Sequence, residues 1–333
     1  MIICRTPYRI SFFGGGTDYP GWYRENGGAV LSTTIDKYCY ITLRHLPPFF
    51  DYRYRIRYYK REEVNSVDEI RHPSIRECLR YMKVDHGADL VHHGDLPAQS
   101  GLGTSSTFTV CLLHSLHALQ YRMPTKRQLA LEAIDIEQNR IGENVGSQDQ
   151  AAAAFGGLNL IEFSNGQEIL VTPMIVEPER LRTLHGHMLL FFTGMQRHAS
   201  EIAGEQIRTL KDRASELREM TKVVYEARDI LASEAPLEEF GRLLHEQWQL
   251  KRSLSRLISN DTIDDIYARA IGAGAIGGKL LGAGGGGFML FFVRPELQPA
   301  VKKALDGLLH VPFRFDVTGS QIIYHAPQSE DER

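Results

Sequence analysis

The feature that most constrains this chain is the segment at residues 97–108, PAQSGLGTSSTF. It follows a strand-like apolar run and leads into an apolar stretch that predicts a buried helix. Gly101 and Gly103 lack Cβ atoms, so a bound group can approach the main chain where free backbone N–H groups and the positive end of the helix dipole converge. Three hydroxyl residues follow, namely Thr104, Ser105 and Ser106. The pattern predicts an anion site, with an ordinary N-cap after a glycine turn as the alternative.

The composition is that of a large globular protein. The chain has 333 residues, 43% hydrophobic and 24% charged, which is enough for two lobes. A formal net charge of −3 gives no overall attraction to nucleic acid or to an anionic membrane. We find no signal-peptide pattern and no long uncharged apolar window, so we expect a cytoplasmic protein. Its four cysteines form no C-x-x-C pair and are expected to be reduced and buried: Cys4, Cys39, Cys78 and Cys111.

Residues 2–13 predict a strand that ends at the glycine turn 14–16. Asp18 lies just beyond this turn and Arg9 lies one strand-length before it. Asp18 suits an ordinary surface turn as well as a functional site, and both interpretations remain open. Two further strands are predicted, at residues 28–35 and 38–43.

An alternating segment at residues 52–58 places Arg53, Arg55 and Arg57 on one face of a strand. The pattern favours a solvated sheet face. Aromatic residues interleaved with cations also suit single-stranded nucleic acid, but the acidic balance of the chain does not support that alternative.

Two carboxylates stand out in the following helices. A helix predicted from the Thr125 cap to about residue 141 has an apolar stripe, and Glu137 falls within it. Burial of an ionised carboxylate requires a cationic partner, which is an arginine, a lysine or a metal ion. The nearby anion site favours Mg²⁺. Asp149 opens a short alanine-rich helix, where it suits either the helix dipole or a functional role.

A third glycine-rich region covers residues 272–288. Its G-x-G-x-x-G follows a helical segment and not a strand, so a dinucleotide site is excluded. Gly282 and the four glycines at 284–287, with Ala283 between them, lead directly into an apolar strand. They are expected where a ligand or another chain segment approaches closely, with a flexible linker as the alternative.

In this order, the three glycine-rich segments resemble the motifs of the GHMP small-molecule kinases, which include galactokinase, homoserine kinase, mevalonate kinase and phosphomevalonate kinase. The matching segments are TPYRISFFGGGTD at 6–18, PAQSGLGTSS at 97–106 and KLLGAGGGGF at 279–288. The resemblance spans nearly the whole chain. It implies a two-lobed α+β fold, with a mixed-sheet lobe at residues 1–175, a C-terminal α/β sandwich-like lobe at residues 176–333 and the active site between them.

The resemblance also implies ATP and Mg²⁺ as cofactors and assigns roles to single residues. Ser105 and Glu137 would coordinate Mg²⁺, while Asp149 would act on the attacking hydroxyl with Arg9 beside it. The residues expected around the ATP phosphates are Pro97, Gly101, Leu102, Gly103, Thr104, Ser105 and Ser106. Those expected around the sugar are Gly15, Gly16, Thr17, Asp18, Arg197, Gly284 and Gly285. From its charge and not from the resemblance, Arg197 together with His198 is the candidate for binding the distal phosphate of a phosphorylated sugar.

Two departures from the family pattern are informative. Thr104 replaces the commoner serine and keeps its hydroxyl group. The glycine turn 14–16 replaces the Gly-Glu-His of galactokinases, which argues against galactose.

Four segments look most like the D-glycero-D-manno-heptose 7-phosphate kinases within the family: GGGTD at 14–18, FTGMQRHASEI at 192–202, WQLKR at 248–252 and GGKLLGAGGGG at 277–287. This implies transfer of phosphate from ATP to the anomeric hydroxyl of a sugar phosphate, for capsule or lipopolysaccharide synthesis. The alternatives are a fucose or other sugar 1-kinase and a non-catalytic sugar sensor. The expected partners are the sugar phosphate and ATP, without nucleic acid or membrane, and a homo-oligomer is left open.

Overall fold

The structure is a computed structural model and describes residues 1–164, 168–195 and 199–326. The strands are β1 (Ile2–Phe13), β2 (Gly28–His45), β3 (Tyr54–Arg57), β4 (Arg61–Val64), β5 (Ala88–Gly94), β6 (Asn159–Phe163), β7 (Ile169–Pro173), β8 (Met188–Phe192), β9 (Ala275–Leu280), β10 (Phe288–Val293), β11 (Leu309–His310), β12 (Phe315–Asp316) and β13 (Gln321–His325). The α-helices are α1 (Pro20–Asn26), α2 (Pro73–Tyr81), α3 (Thr104–Leu119), α4 (Lys126–Asp135), α5 (Gln148–Phe155), α6 (Pro178–Gly186), α7 (Ala199–Thr209), α8 (Ala214–Leu231), α9 (Leu237–Leu254), α10 (Asp261–Gly272) and α11 (Gln298–Ala304).

The larger sheet is built around β1 and β2, which pair antiparallel along most of their length. Its main strand order is β13-β1-β2-β5-β3-β4, and β3 pairs parallel to β5, so the sheet is mixed as predicted. The residues predicted to form two strands at 28–35 and 38–43 form the single strand β2. Helix α3 is apolar on nearly all sides and packs on β1 and β2. This buried helix and the long central strands fix the position of the predicted anion site.

The smaller sheet has the antiparallel order β11-β8-β10-β9, and α9 and α10 pack against β9. Every residue of β10 is buried, as its continuous apolar sequence predicts. Phe240 of α9 makes edge-to-face contacts with Phe12 and Phe13 of β1. These rings join the two lobes directly behind the glycine turn 14–16.

The C-terminal strands return to the first lobe, so the predicted division into residues 1–175 and 176–333 needs correction. β12 pairs with β2, and β13 pairs with β1 in a register that places Ile2 opposite His325. Such pairing joins opposite ends of the chain, and local sequence periodicity contains no information about it.

Two arginines of the alternating segment form ion pairs within the protein. Arg55 and Arg57 of β3 and Arg44 of β2 form ion pairs with the buried Asp89, which supports the interpretation as a sheet face. All four cysteines are free and buried, as predicted. Among the described residues, no helix has the length and apolar character needed to cross a membrane.

Candidate active site

A cavity of about 170 Å³ lies where the glycine turn 14–16, the segment leading into α3, the start of α5, helix α9 and the third glycine region meet. Most of the predicted site residues line it: Arg9, Gly15, Gly16, Asp18, Gly101, Gly103, Thr104, Ser105, Ser106 and Asp149. The three sequence motifs therefore converge in space although they are distributed over nearly the whole chain.

The loop before α3 has the geometry expected of an anion cradle. Gly103 has a left-handed conformation (φ 72°) at the N-cap of α3, and Gly101 also has a positive φ of 85°. Thr104 Oγ1 accepts a hydrogen bond from the backbone N–H of Gln99 at 3.1 Å, which closes the loop. The 16-residue helix α3 directs its N-terminus towards the cavity, where its dipole favours negative charge.

The third glycine region packs directly against this loop. A Cβ at Gly101 would lie 2.4 Å from the carbonyl oxygen of Leu281, and one at Gly282 would lie 2.5 Å from the Cα of Gly101. At Gly287 a Cβ would lie 2.2 Å from the carbonyl oxygen of Ser100. These distances confirm the predicted close approach and identify the neighbour as the loop before α3. The alternative of a flexible linker is wrong.

Arg9 and Asp149 form the central ion pair of the cavity. Arg9 Nε and Nη2 donate to Asp149 Oδ1 and Oδ2, each at 2.7 Å. Arg9 Nη1 donates to the carbonyl oxygen of Gly101, also at 2.7 Å. Asp149 Oδ2 lies 3.3 Å from the position of a Cβ at Gly103. The carboxylate is thus held in a fixed orientation beside the anion cradle.

Glu137 is completely buried on the inward face of the π-helical turn Ile136–Ile141 that continues α4, as the apolar stripe predicted. It accepts hydrogen bonds from Ser106 Oγ (2.7 Å), Thr109 Oγ1 (2.8 Å) and Gln150 Nε2. Burial raises its pKa to about 7, against the opposing effect of these hydrogen bonds. Among the described residues, no arginine or lysine pairs with Glu137, and hydroxyl and amide groups donate to it instead.

Ser106, and not Ser105, makes the direct hydrogen bond to Glu137, and the assignment of Ser105 and Glu137 as Mg²⁺ ligands stays a prediction. Ser105 is exposed and lines the cavity, whereas Ser106 lies between the cavity and the buried carboxylate. Gln150 Oε1 is also buried and has no hydrogen-bond partner in the structure. A carboxylate, hydroxyl groups and an unpartnered amide oxygen are ligands of the type that Mg²⁺ prefers. In the described part of the chain, no group of three or more His, Cys, Asp and Glu residues is placed to hold a metal.

Asp18 also lines the cavity. Asp18 is 2% exposed and accepts hydrogen bonds from the backbone N–H groups of Gly16 (2.9 Å) and Gln148 (3.3 Å). Burial and the nearby Asp149 carboxylate raise the pKa of Asp18, against the lowering effect of the Gly16 hydrogen bond. Thr17 does not line the cavity and instead donates to the carbonyl oxygens of Gly14 and Ala29, which holds the turn. Asp18 is therefore placed to accept hydrogen bonds from hydroxyl groups.

Several predicted residues lie elsewhere. Pro97 is exposed, and the Leu102 side chain is completely buried while its carbonyl oxygen accepts from Arg9 N. Gly284 and Gly285 pack against Ile258, and Gly282 and Ala283 line the cavity in their place. The sequence could not distinguish among the glycines of this run, since none of them has a side chain. Arg197 and His198 lie outside the described residues.

Two lysines in the cavity lining were not assigned a role from the sequence. Lys279 Nζ donates to the carbonyl oxygens of Ser11 (2.8 Å) and Phe12 (2.9 Å), and burial lowers its pKa well below the usual range. Lys251 lies on the buried face of α9 with Leu244, Trp248 and Leu254. The same argument that identified Glu137, a charge within a helical apolar stripe, would have identified Lys251.

Comparisons with known proteins agree with this geometry. The chain matches the model of the GHMP kinases N terminal domain at residues 72–157 and that of the GHMP kinases C terminal domain at residues 231–310. It is 33% identical over 318 residues to D-glycero-alpha-D-manno-heptose 7-phosphate kinase of Campylobacter jejuni, covering 91% of this chain and 93% of that protein. A crystal structure described as a D-glycero-D-manno-heptose 1-phosphate kinase from Bacteroides thetaiotaomicron superposes with a TM-score of 0.80 at 25% identity, covering 98% and 100% of the two chains. A putative sugar kinase from Campylobacter jejuni gives 0.71 at 29% identity, covering 97% and 98%.

Proposed function

The chain belongs to the GHMP kinases and is a sugar kinase, and from this premise we propose that its acceptor is D-glycero-D-manno-heptose 7-phosphate. ATP is the proposed donor, and the proposed product is the 1,7-bisphosphate formed at the anomeric hydroxyl. This product would supply the synthesis of nucleotide-activated heptose for capsule or lipopolysaccharide. The observation that carries the proposal is the Arg9–Asp149 pair, which holds a carboxylate beside the anion cradle in a cavity that Asp18 also lines.

The proposed reaction is a single phosphoryl transfer. The anomeric oxygen forms a bond to the γ-phosphorus, and the bond between that phosphorus and the β–γ bridging oxygen breaks. The hydroxyl proton passes to Asp149, and ADP leaves with the electron pair of the broken bond. Such transfers have a loose transition state, so the protein contributes mainly alignment and charge stabilisation.

Each part of the cavity has a role in this reaction. The backbone N–H groups at the start of α3 would bind the ATP phosphates. Asp149 would orient the attacking hydroxyl and accept its proton, while Arg9 fixes the direction of the carboxylate. Glu137 and the hydroxyl groups of Ser105 and Ser106 would hold Mg²⁺, which when bound neutralises charge on the β- and γ-phosphates. Asp18 would accept hydrogen bonds from the hydroxyl groups of the sugar.

The heptose 7-phosphate is favoured over other acceptors by similarity across both lobes. Galactose is disfavoured because the glycine turn 14–16 lacks side chains where galactokinases have Gly-Glu-His. A fucose 1-kinase remains the second candidate, because fucokinase domains share part of the same sequence pattern. A nucleic-acid binder is disfavoured, since Arg55 and Arg57 are engaged by Asp89.

A screen for ADP release tests the proposal. The purified protein with Mg²⁺ and ATP is offered heptose 7-phosphate, fucose, mannose, galactose, mevalonate and homoserine in parallel. The proposal predicts the highest kcat/KM with heptose 7-phosphate and background release with Asp149→Asn. Higher kcat/KM with fucose would replace the proposed acceptor, and no sugar-dependent release with any acceptor would contradict the proposal altogether.

A further inference from the structure

Lys251 is a buried cation inside the cavity to which the reaction described above gives no role. It belongs to the apolar face of α9 and is only 4% exposed, yet it lines the cavity. Burial of an ammonium group without compensation is costly, so a lysine in this position requires polar partners. Such a residue either links two parts of the fold through a hydrogen bond or binds an anion.

The protein satisfies only part of the hydrogen-bonding capacity of Lys251. Its Nζ donates to the carbonyl oxygen of Gly282. Within the described residues this is the only hydrogen-bond acceptor of Nζ, and no carboxylate lies within ion-pair distance of it. An ammonium group has three N–H donors. Two donors therefore remain available to a group bound in the cavity.

The Nζ atom of Lys251 lies between the third glycine region and the glycine turn 14–16. Gly282, which accepts its hydrogen bond, packs on Gly101 in the anion cradle. On the other side, a Cβ at Gly15 would lie 3.8 Å from Nζ, and Gly15 belongs to the turn that precedes Asp18. The ammonium group thus lies between the proposed sites of the ATP phosphates and the sugar, which is where a phosphoryl group would transfer.

The electrostatic surroundings agree with this position. Burial, together with the charge of Arg9, lowers the pKa of Lys251 to about 8, while Asp18 and Asp149 act in the opposite direction. An anion in the cavity would favour the charged form of the lysine. A phosphate bound in the cavity would therefore strengthen Lys251 as a donor.

We propose that Lys251 is a further catalytic residue, whose ammonium group donates hydrogen bonds to the γ-phosphoryl group during its transfer. The inference rests on the proposed function for the identity of the reaction. It does not depend on which sugar is the acceptor. Removal of one preorganised donor of this kind typically lowers kcat by roughly 10²–10³-fold.

A purely structural role of Lys251, in which it only links α9 to Gly282, leads to a different prediction. Gly282 packs on Gly101 of the anion cradle. If the role were structural, loss of the hydrogen bond from Lys251 to Gly282 would disturb the cradle and weaken ADP and ATP binding equally. A donor to the γ-phosphoryl group affects the triphosphate and leaves ADP binding unchanged. Comparison of the two nucleotides therefore separates the alternatives.

The test is the binding of ADP and of a non-hydrolysable ATP analogue to Lys251→Met by titration calorimetry with Mg²⁺. We expect the ADP affinity to stay within about threefold of wild type and the analogue affinity to fall roughly tenfold or more, as for loss of a hydrogen bond to a charged group. Lys222→Met, on the outer face of α8 where Lys222 pairs with Glu219 and Glu226, is the matched control and should bind both nucleotides like wild type. An equal loss for both nucleotides, or no loss for either, would overturn the proposal.

Turnover provides the second measurement. The variant Lys251→Cys should lose roughly 10²–10³-fold in kcat and recover at least tenfold after treatment with bromoethylamine, which attaches an aminoethyl group to the new thiol. The four native cysteines are buried and protected from this reagent. Wild-type kcat in Lys251→Cys contradicts the role of the lysine. If wild type turns over no sugar, the proposed function fails, and the nucleotide comparison still decides the role of Lys251.

Discussion

Arg9 and Asp149 are 140 residues apart in the sequence, yet two nitrogens of the arginine each lie 2.7 Å from a different oxygen of the carboxylate. The remaining terminal nitrogen binds the carbonyl oxygen of Gly101. One buried guanidinium therefore fixes both the carboxylate of α5 and the loop before α3. In the proposed reaction, this arrangement would couple the direction of the acceptor to the position of the donor phosphates, which phosphoryl transfer requires.

Asp149→Asn tests the role of the carboxylate in turnover. We expect kcat to fall by roughly 10²–10⁴-fold, as for loss of a positioned base, because an amide cannot accept the hydroxyl proton. The ATP affinity should change little, since the proposed nucleotide contacts are made by the loop before α3. Stopped-flow kinetics and calorimetric titration check the two quantities separately. Turnover close to wild type would remove Asp149 from the chemistry.

Arg9→Lys tests the coupling between the carboxylate and the loop. A lysine keeps the charge but cannot reproduce the planar three-bond geometry of the guanidinium. We expect kcat to fall roughly 10–10³-fold and the KM for ATP to rise, because Gly101 also loses its donor. The control is Arg5→Lys on the same strand, where Arg5 binds Gln321 away from the cavity. A change in kcat without any change in the KM for ATP would contradict the second role of Arg9.

Gly282→Ala tests the packing of the third glycine region on the loop. Gly282 has φ +79°, and its new Cβ would lie 2.5 Å from the Cα of Gly101. Gly307 has φ +95° with no atom within 4 Å, so Gly307→Ala carries backbone strain without a collision. We expect a loss of roughly 1 kcal/mol for the control, and more than about 2 kcal/mol together with weakened ATP binding for Gly282→Ala. Equal losses in urea unfolding would contradict the packing argument.

Glu137→Gln tests the buried carboxylate through the pH dependence of stability. The folded-state pKa of about 7 lies above the unfolded value, so Glu137 lowers stability progressively as the pH rises from about 4.5 through 7. The free energy of unfolding of Glu137→Gln relative to wild type should therefore increase by roughly 2–3 kcal/mol between pH 4.5 and pH 8. Urea unfolding at both pH values, without Mg²⁺ or nucleotide, measures this difference. The control Glu246→Gln, at an exposed position of α9, should show no such increase. If Glu137→Gln also showed no increase between the two pH values, this result would contradict the raised pKa of Glu137.

Sequence reasoning succeeded where a local pattern has a direct structural consequence. The apolar stripe around Glu137 fixed the direction of its side chain, and the glycines at 101 and 103 marked the left-handed turns that begin α3. It also recognised that glycines leading into the buried strand β10 require close packing.

The remaining features depend on contacts between distant segments. The pairing of β13 with β1 joins the two ends of the chain, and no local periodicity specifies it. The choice of Ser106 over Ser105 as the partner of Glu137 depends on the rotation of α3 about its axis, which is set by packing on the sheet. Gly284 and Gly285 were placed at the sugar because a run of glycines has no pattern that distinguishes its members.

The central claim is that this chain transfers the γ-phosphoryl group of ATP to the anomeric oxygen of a heptose 7-phosphate. Phosphorus NMR of a completed reaction with that sugar, ATP and Mg²⁺ tests it most directly. We predict one new phosphate resonance coupled to the anomeric proton, retention of the original 7-phosphate resonance, and one ADP formed per sugar phosphorylated. ADP and free phosphate alone, or a new phosphate coupled to a proton at any other carbon, would contradict the claim.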